Sequence, residues 1–337
     1  MSTQLTLQPS QQQISVDTEE TILEALLRHG FQAAHSCKNG ACGTCKSKLL
    51  SGKVEHKPYT NTALSTTELE NNWILTCCAL PQSDVHIHYQ DAPHNAIRTL
   101  PCRVQHIDKI SNDVVVLRLT LPSNLSFNFS AGQYIDIHTK DGQKRSFSIA
   151  NPPLGDNYLD LHIRLVAGGK FSEYVFNNLQ EKEILRFTGP LGNFFLREDS
   201  DKPLIFVASG TGFAPIKSIL EYAFSKNIQR RIYLYWGVYS LAHLYMPKLP
   251  QQWQQQHQHF SFIPVLSEPK AEDQWQGRCG FVHQAVLDDF SDLSAYQVYA
   301  CGAPIMVESA HRTFTQRGLA EDDFFSDAFF LAKDRFP

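Results

Sequence analysis

The first chemical signal in the sequence is a set of cysteines. Cys37, Cys42 and Cys45 stand at C-x4-C-x2-C spacing in one loop, and a further pair, Cys77 and Cys78, closes the segment Ile74-Leu75-Thr76-Cys77-Cys78. Three clustered thiolates with a distant fourth suit a [2Fe–2S] cluster, a one-electron centre. Gly40 and Gly43 permit backbone angles that let the loop wrap closely around iron and sulfide. Its N–H groups can then point at the cluster sulfurs. Half of a zinc site and simple burial are the plain alternatives for such cysteines, but the spacing and the two glycines fit zinc poorly. His35 reads as a packing or surface residue, because four cysteines already serve both irons. Cys77 and Cys78 compete for the fourth position, since adjacent side chains in a strand or turn point in different directions.

A second set of residues suits phosphates and aromatic rings. Arg145-Ser146-Phe147-Ser148 ends a strand. The guanidinium fork matches a pyrophosphate, Phe147 can lie along a ring, and Ser148 can hydrogen-bond a ring nitrogen. His162 and Arg164, on the strand Leu159–Leu165, are further cofactor-binding candidates. Gly168 and Gly169 open a helix that carries Ser172, and a helix start exposes N–H groups to phosphate. Alone, Arg145 could be one exposed charge and Gly168-Gly169 an ordinary turn.

A third set follows the apolar run Leu204–Ala208, which reads as a buried parallel strand. Gly210, Thr211 and Gly212 form a turn into a helix, with Pro215 in its first turn. The strand Ile232–Trp236 completes a βαβ unit that suits a dinucleotide, although the third glycine of the usual fingerprint is missing. Cys301 and Gly302 stop another strand near where a nicotinamide would lie. The plain reading of Cys301 is a small buried residue before a turn. Of the aromatics near the end, Phe324, Phe325, Phe329, Phe330 and Phe336, one could cover a flavin; otherwise they anchor the core.

The elements that position these residues divide a chain of 337 residues into more than one domain. Leu5–Leu7 and Ile14–Val16 suggest a hairpin, and Thr21 with Glu24 a capping box at a helix ended by Gly30. Val85–Tyr89 would close the first sheet. The polar, proline-containing stretch 90–96 reads as a linker. Short alternating strands then suggest a small antiparallel barrel. A net charge of −4 argues against nucleic acid or an anionic membrane as main partner. No apolar run reaches a membrane span and no signal peptide is visible, so eight cysteines point to metal in a reducing cytoplasm rather than to disulfides.

The ordered set Cys37, Cys42, Cys45, Cys77, then Arg145-Ser-Phe-Ser, Gly168-Gly169 with Ser172, Gly210-Thr-Gly-Phe-Ala-Pro and Cys301-Gly-Ala-Pro resembles the iron–sulfur flavoprotein reductases of the ferredoxin–NADP reductase superfamily. The resemblance implies a multidomain α+β and α/β chain. A β-grasp ferredoxin domain would span 1–92, an antiparallel β-barrel FAD domain 97–199, and a parallel-sheet Rossmann-like NAD domain 200–337. It implies a [2Fe–2S] cluster, FAD and NADH, with NADPH as the alternative nucleotide. It also implies a monomer that passes a hydride to FAD and single electrons through the cluster to a protein acceptor. Thr99-Leu-Pro-Cys102, Tyr235-Trp-Gly237, Trp275-Gln-Gly-Arg278 and Phe325-Ser-Asp-Ala-Phe329 look like the CDP-6-deoxy-L-threo-D-glycero-4-hexulose-3-dehydrase reductase branch, which shares the double cysteine. The acceptor would then be a dehydrase. The alternative is an oxygenase component, and a second alternative is a redox-sensing cluster protein without hydride transfer.

Carried over by resemblance, Cys77 is the fourth ligand. Arg145 binds FAD phosphate, Phe147 lies along the flavin and Ser148 contacts its N5 region. Gly169 and Ser172 cradle the pyrophosphate, and Gly210, Thr211 and Gly212 hold the dinucleotide. Cys301 lies beside the nicotinamide, and Phe329 is the ring that nicotinamide displaces, with Phe330 the alternative. Relatives usually carry Tyr at Phe147, and many carry Arg where Tyr239 stands, which favours NADH here.

Overall fold

The computed structural model describes residues 3–31, 33, 35, 38–40, 43, 45–61, 63–64, 66–89 and 97–329. The expected linker 90–96, Cys37, Cys42, Phe330 and Phe336 lie outside them. Contacts divide the chain into two units, one built on the first 96 residues and one on 97–190 with 194–329.

In the first unit, β1 (Thr3–Gln8) and β2 (Gln12–Val16) form the expected hairpin, with Leu5 opposite Ile14. α1 (Ile22–Arg28) starts at the expected capping box, in which Thr21 Oγ1 accepts from Glu24 N–H and Glu24 Oε2 from Thr21 N–H. Gly30, at φ +84°, ends it. The unit continues through β3 (Lys46–Ser51), β4 (Val54–His56), α2 (Thr66–Glu70), β5 (Trp73–Leu75), β6 (Ala79–Pro81) and β7 (Val85–His88). The main sheet runs β2-β1-β7-β3-β5 and is mixed, with β1 parallel to β7; β4 and β6 form a separate pair. Leu5, Leu7, Ile22, Leu26, Leu75 and Ile87 are fully buried between sheet and helix.

The second unit begins with an antiparallel sheet. Its strands are β8 (Arg98–Lys109), β9 (Val114–Thr120), β10 (Tyr134–His138), β11 (Lys144–Ser148), β12 (Tyr158–Arg164) and, after helix α3 (Lys170–Asn177), β13 (Ile184–Leu191). The order is β11-β10-β13-β8-β9-β12, and a bridge from Ile149, just past β11, to Leu161, in the middle of β12, joins the two outer strands. Leu117, Leu119, Ile135, Ile137, Leu161 and Ile163 point inward from alternating positions.

A parallel sheet follows, ordered β17-β16-β15-β14-β18-β19. It comprises β14 (Leu204–Ser209), α4 (Phe213–Ser225), β15 (Ile232–Val238), α5 (Lys248–Gln256), β16 (Phe260–Leu266), β17 (Arg278–Cys279), α6 (Val282–Asp289), β18 (Gln297–Gly302), α7 (Pro304–Thr315) and β19 (Phe324–Ala328). The continuous apolar run of β14 is explained by burial on both faces: Phe206 and Ala208 pack into one core, Ile205 and Val207 into the other. No helix of the described residues is long and apolar enough to cross a membrane.

Candidate redox site

The segments that carry Cys45 and Cys77 come together because β3 pairs with β5, Lys46 opposite Leu75. Thr76 ties the two together, since its N–H and its hydroxyl both donate to the carbonyl of Cys45, at 3.1 and 3.0 Å. Cys45, Cys77 and Cys78 are all buried. Gly40, at φ +75°, lies so close that an added Cβ would come within 2.8 Å of Cys78 Sγ and 2.6 Å of Tyr59 Cβ. Buried sulfur donors against a glycine wall fit an iron–sulfide group. His35 Nδ1 donates to the carbonyl of Ala33 at 2.7 Å, in keeping with a packing role.

On β11, strand alternation puts Arg145 and Phe147 on one face and Ser146 on the other. Ser146 Oγ donates to Asp136 at 2.7 Å, on the face it shares with Ser148. Ser148 is buried opposite Tyr134. The Phe147 ring lies 5.4 Å from that of Phe171, in the first turn of α3. Gly169 caps α3, and a Cβ there would sit 2.7 Å from Ser172 Oγ, so only glycine fits. Ser172 Oγ accepts from Val166 N–H at 3.1 Å and donates to the Gly169 carbonyl at 3.0 Å. Its hydroxyl thus shapes the loop, and Gly168, at φ +72°, gives its N–H to Glu173. Arg145 borders a cavity of about 220 Å³ shared with His138, Lys140, Lys170, Phe171 and Tyr174. Asp141 also borders it and pairs with Lys170 at 3.6 Å, which leaves Arg145 and Lys140 in excess among the lining charges, beside aromatic rings, a setting that suits a phosphate-bearing heteroaromatic ligand.

At the carboxyl ends of the parallel strands, Gly210–Gly212 form a 3-10 turn that leads into α4. Pro215 lies in the first turn of α4, where its missing N–H costs nothing. Trp236 Nε1 donates to the carbonyl of Gly210 at 2.9 Å and fixes the turn. Thr211 is half-buried and Gly212 buried, its backbone flush against Cys301 and Gly302. Gly302 has φ +134°, and Ser209 Oγ accepts from Ala303 N–H at 2.8 Å. Phe329 N–H donates to the Gly302 carbonyl at 2.8 Å, which holds the Phe329 backbone at the end of β18. Cys301 is fully buried, and burial pushes its thiol well above the ordinary range, so it stays protonated.

Two residues of the antiparallel sheet reach this turn. Arg164 forms an ion pair with Asp113 at 3.1 Å, yet its buried Nε and Nη2 have no hydrogen bond. Its Nη1 lies so near Gly210 that a Cβ there would come within 2.6 Å. A partly buried guanidinium whose Nη2 is buried without a hydrogen bond, beside a glycine turn, fits an anionic ligand. His162 Nδ1 lies 2.9 Å from the hydroxyl of Tyr245, and burial lowers the histidine to about 3, so it is neutral. Lys217 and Ser218, on α4, donate to the carbonyls of Ala150 and Asn151 at 3.1 and 2.7 Å. Sequence reasoning missed Tyr245, Lys217 and Ser218. Lys217 and Glu221 are an i, i+4 pair, a pattern that ordinarily marks an exposed helix face.

Three family models match in order: a 2Fe-2S iron-sulfur cluster binding domain over residues 5–82, an oxidoreductase FAD-binding domain over 101–196, and an oxidoreductase NAD-binding domain over 206–312. The chain is 41% identical to a CDP-6-deoxy-L-threo-D-glycero-4-hexulose-3-dehydrase reductase of Yersinia pestis, over 99% of this chain and 100% of the relative. The chain belongs to the iron–sulfur flavoprotein reductases. A phenol hydroxylase P5 protein of Acinetobacter pittii is 36% identical over 99% of this chain and 96% of its own. Among solved structures, an Amycolatopsis cytochrome P450 reductase superposes with a TM-score of 0.75 at 30% identity, covering 97% of this chain and 98% of its own. The reductase is therefore an NAD(P)H-dependent oxidoreductase that uses FAD and a [2Fe–2S] cluster.

Proposed function

We propose that the reductase oxidises NADH and supplies single electrons to a protein acceptor of the CDP-6-deoxyhexulose dehydrase type. The observation that carries the nucleotide half of this reading is the meeting of Gly210–Gly212, Arg164, Cys301 and Phe329 at one strand end. FAD supplies the exchange between hydride and single electrons, and the cluster takes one electron at a time. In this reading Arg145 pairs with the flavin pyrophosphate, Phe147 lies along the ring and Ser148 serves its redox edge. Arg164 and the Gly210 turn hold the nicotinamide nucleotide. Cys301, kept as a neutral thiol, packs beside the nicotinamide without attacking it, and Phe329 gives way to it. Cys37, Cys42, Cys45 and Cys77 hold the cluster.

Tyr239, exposed just past the end of β15, packs its ring against His243 and offers no cation to a 2′-phosphate, which supports NADH. The finer folds follow the same reading: a β-grasp sheet in the first unit, and a barrel closed where Ile149 bridges Leu161. The dehydrase acceptor rests on the 41% identity along the whole chain. An oxygenase component is the second reading, supported by the 36% identity to the phenol hydroxylase protein.

Reconstitution separates the two. The reductase is mixed with NADH and either a CDP-hexulose dehydrase or a phenol hydroxylase oxygenase component, and acceptor-dependent NADH oxidation is followed. Turnover with the dehydrase is expected; turnover only with the oxygenase component would transfer the assignment.

A further inference from the structure

A fifth sulfur lies against the cysteine site. Cys78 is 2% exposed, and its Sγ is 3.6 Å from Cys77 Sγ. On its other side it backs onto the cysteine loop, where a Cβ added to Gly40 would come within 2.8 Å of Cys78 Sγ. The backbone of Cys78 is pinned at both ends. Its N–H donates to the Leu75 carbonyl at 2.9 Å, and its carbonyl accepts from Lys57 N–H at 2.8 Å. The side chain is therefore confined between Cys77, Gly40 and the carbonyl of Pro58, another acceptor within reach of its S–H, at 3.8 Å. A ligand sulfur carries negative charge and accepts a hydrogen bond more strongly than a neutral carbonyl does.

We propose that Cys78 is a positioning and tuning residue whose S–H donates to the Cys77 thiolate and favours the reduced form of the cluster. The inference rests on the reading that Cys37, Cys42, Cys45 and Cys77 hold a [2Fe–2S] cluster. Reduction adds one negative charge shared with the ligand sulfurs, so a donor on one of them strengthens when the electron arrives. The vicinal cysteines thus have two jobs: Cys77 binds iron, and Cys78 supplies a proton-bearing neighbour that the loop glycine holds in place. Serine keeps a donor at this position, whereas valine keeps the bulk and loses it.

The test is an anaerobic redox titration of the full-length protein, followed by the paramagnetic signal of the reduced cluster. Cys78→Val is expected to lower the reduced-to-oxidised ratio at a fixed ambient potential about tenfold, equivalent to about 59 mV for a one-electron couple. Cys78→Ser is expected to retain most of the wild-type ratio, a rescue that a purely packing role would not give. Cys78→Ala carries the same expectation as valine if the valine protein does not fold. An unchanged ratio in the donor-less variant overturns the inference. So does loss of the cluster in Cys78→Val together with its retention in Cys77→Ser, since Cys78 would then be the ligand itself. A wild-type protein with no such signal overturns the cluster reading on which the proposal stands.

Discussion

Gly212→Ala gives the sharpest steric test of the nucleotide turn. Gly212 has φ −58°, an ordinary helical value, so alanine meets no backbone strain there. It gains instead from a more restricted unfolded chain, by about 0.4–1 kcal/mol. Against this, the new Cβ would lie 2.5 Å from the carbonyl carbon of Cys301 and 2.8 Å from the nitrogen of Gly302. Both are backbone atoms, so no side chain can swing away. The carbonyl oxygen of Cys301 lies nearer still, and reaching the 3.4 Å of ordinary contact with it drives the two segments apart by about 1.3 Å. Overpacking of this kind costs about 1–3 kcal/mol, so the steric term wins and the net loss is about 1–2 kcal/mol. The same shift displaces Cys301 and Gly302 from the turn that receives the nucleotide, and a misplacement near 1 Å can slow a reaction about 100-fold. Urea unfolding of the holoprotein and NADH-dependent dye reduction measure the two effects. The midpoint should fall, kcat/KM for NADH should drop by one to two orders of magnitude, and bound flavin should remain. A variant with wild-type midpoint and wild-type kcat/KM would refute the assignment of this turn.

Two other perturbations bear on the same region. Arg164→Met removes the under-satisfied guanidinium beside Gly210 and should raise KM for NADH about tenfold or more while flavin stays bound; steady-state kinetics with a flavin assay checks this, and loss of flavin with unchanged KM would instead give Arg164 to the flavin. His162 is lowered to about 3 by burial from an ordinary value of 6.5. Below pH 6.5 the unfolded chain binds a proton that the folded one refuses, so this group's neutral burial costs nothing above pH 6.5 and destabilises increasingly as pH falls towards 3. The slope is about 1.4 kcal/mol per pH unit at most, and His162→Gln should flatten the acid limb of a stability-against-pH curve.

Much of the fold was legible in local pattern. The Thr21–Glu24 capping box, the β1–β2 hairpin and the buried run of β14 are short-range signals, and the structure forms each as expected. Close backbone approach was legible at glycines, as at Gly169 and Gly212, where an added Cβ would crowd its neighbours. What the sequence hid were partners brought together by tertiary folding. Tyr245 lies 83 residues from His162 and its hydroxyl meets that ring only across the two sheets of one unit. A motif read as a string also hides alternation: Arg145 and Phe147 turn one way, and Ser146 and Ser148 turn the other. Lys217 looked like half of a surface pair, yet its ammonium also binds the carbonyl of Ala150.

The central claim is a relay from nicotinamide nucleotide through flavin to cluster, and anaerobic stopped-flow spectroscopy tests it most directly. The oxidised holoprotein is mixed with NADH and followed at flavin and cluster wavelengths. The account expects flavin absorbance to bleach first and cluster absorbance to bleach afterwards, each with its own rate. A cluster that stays oxidised while the flavin is fully reduced would contradict it.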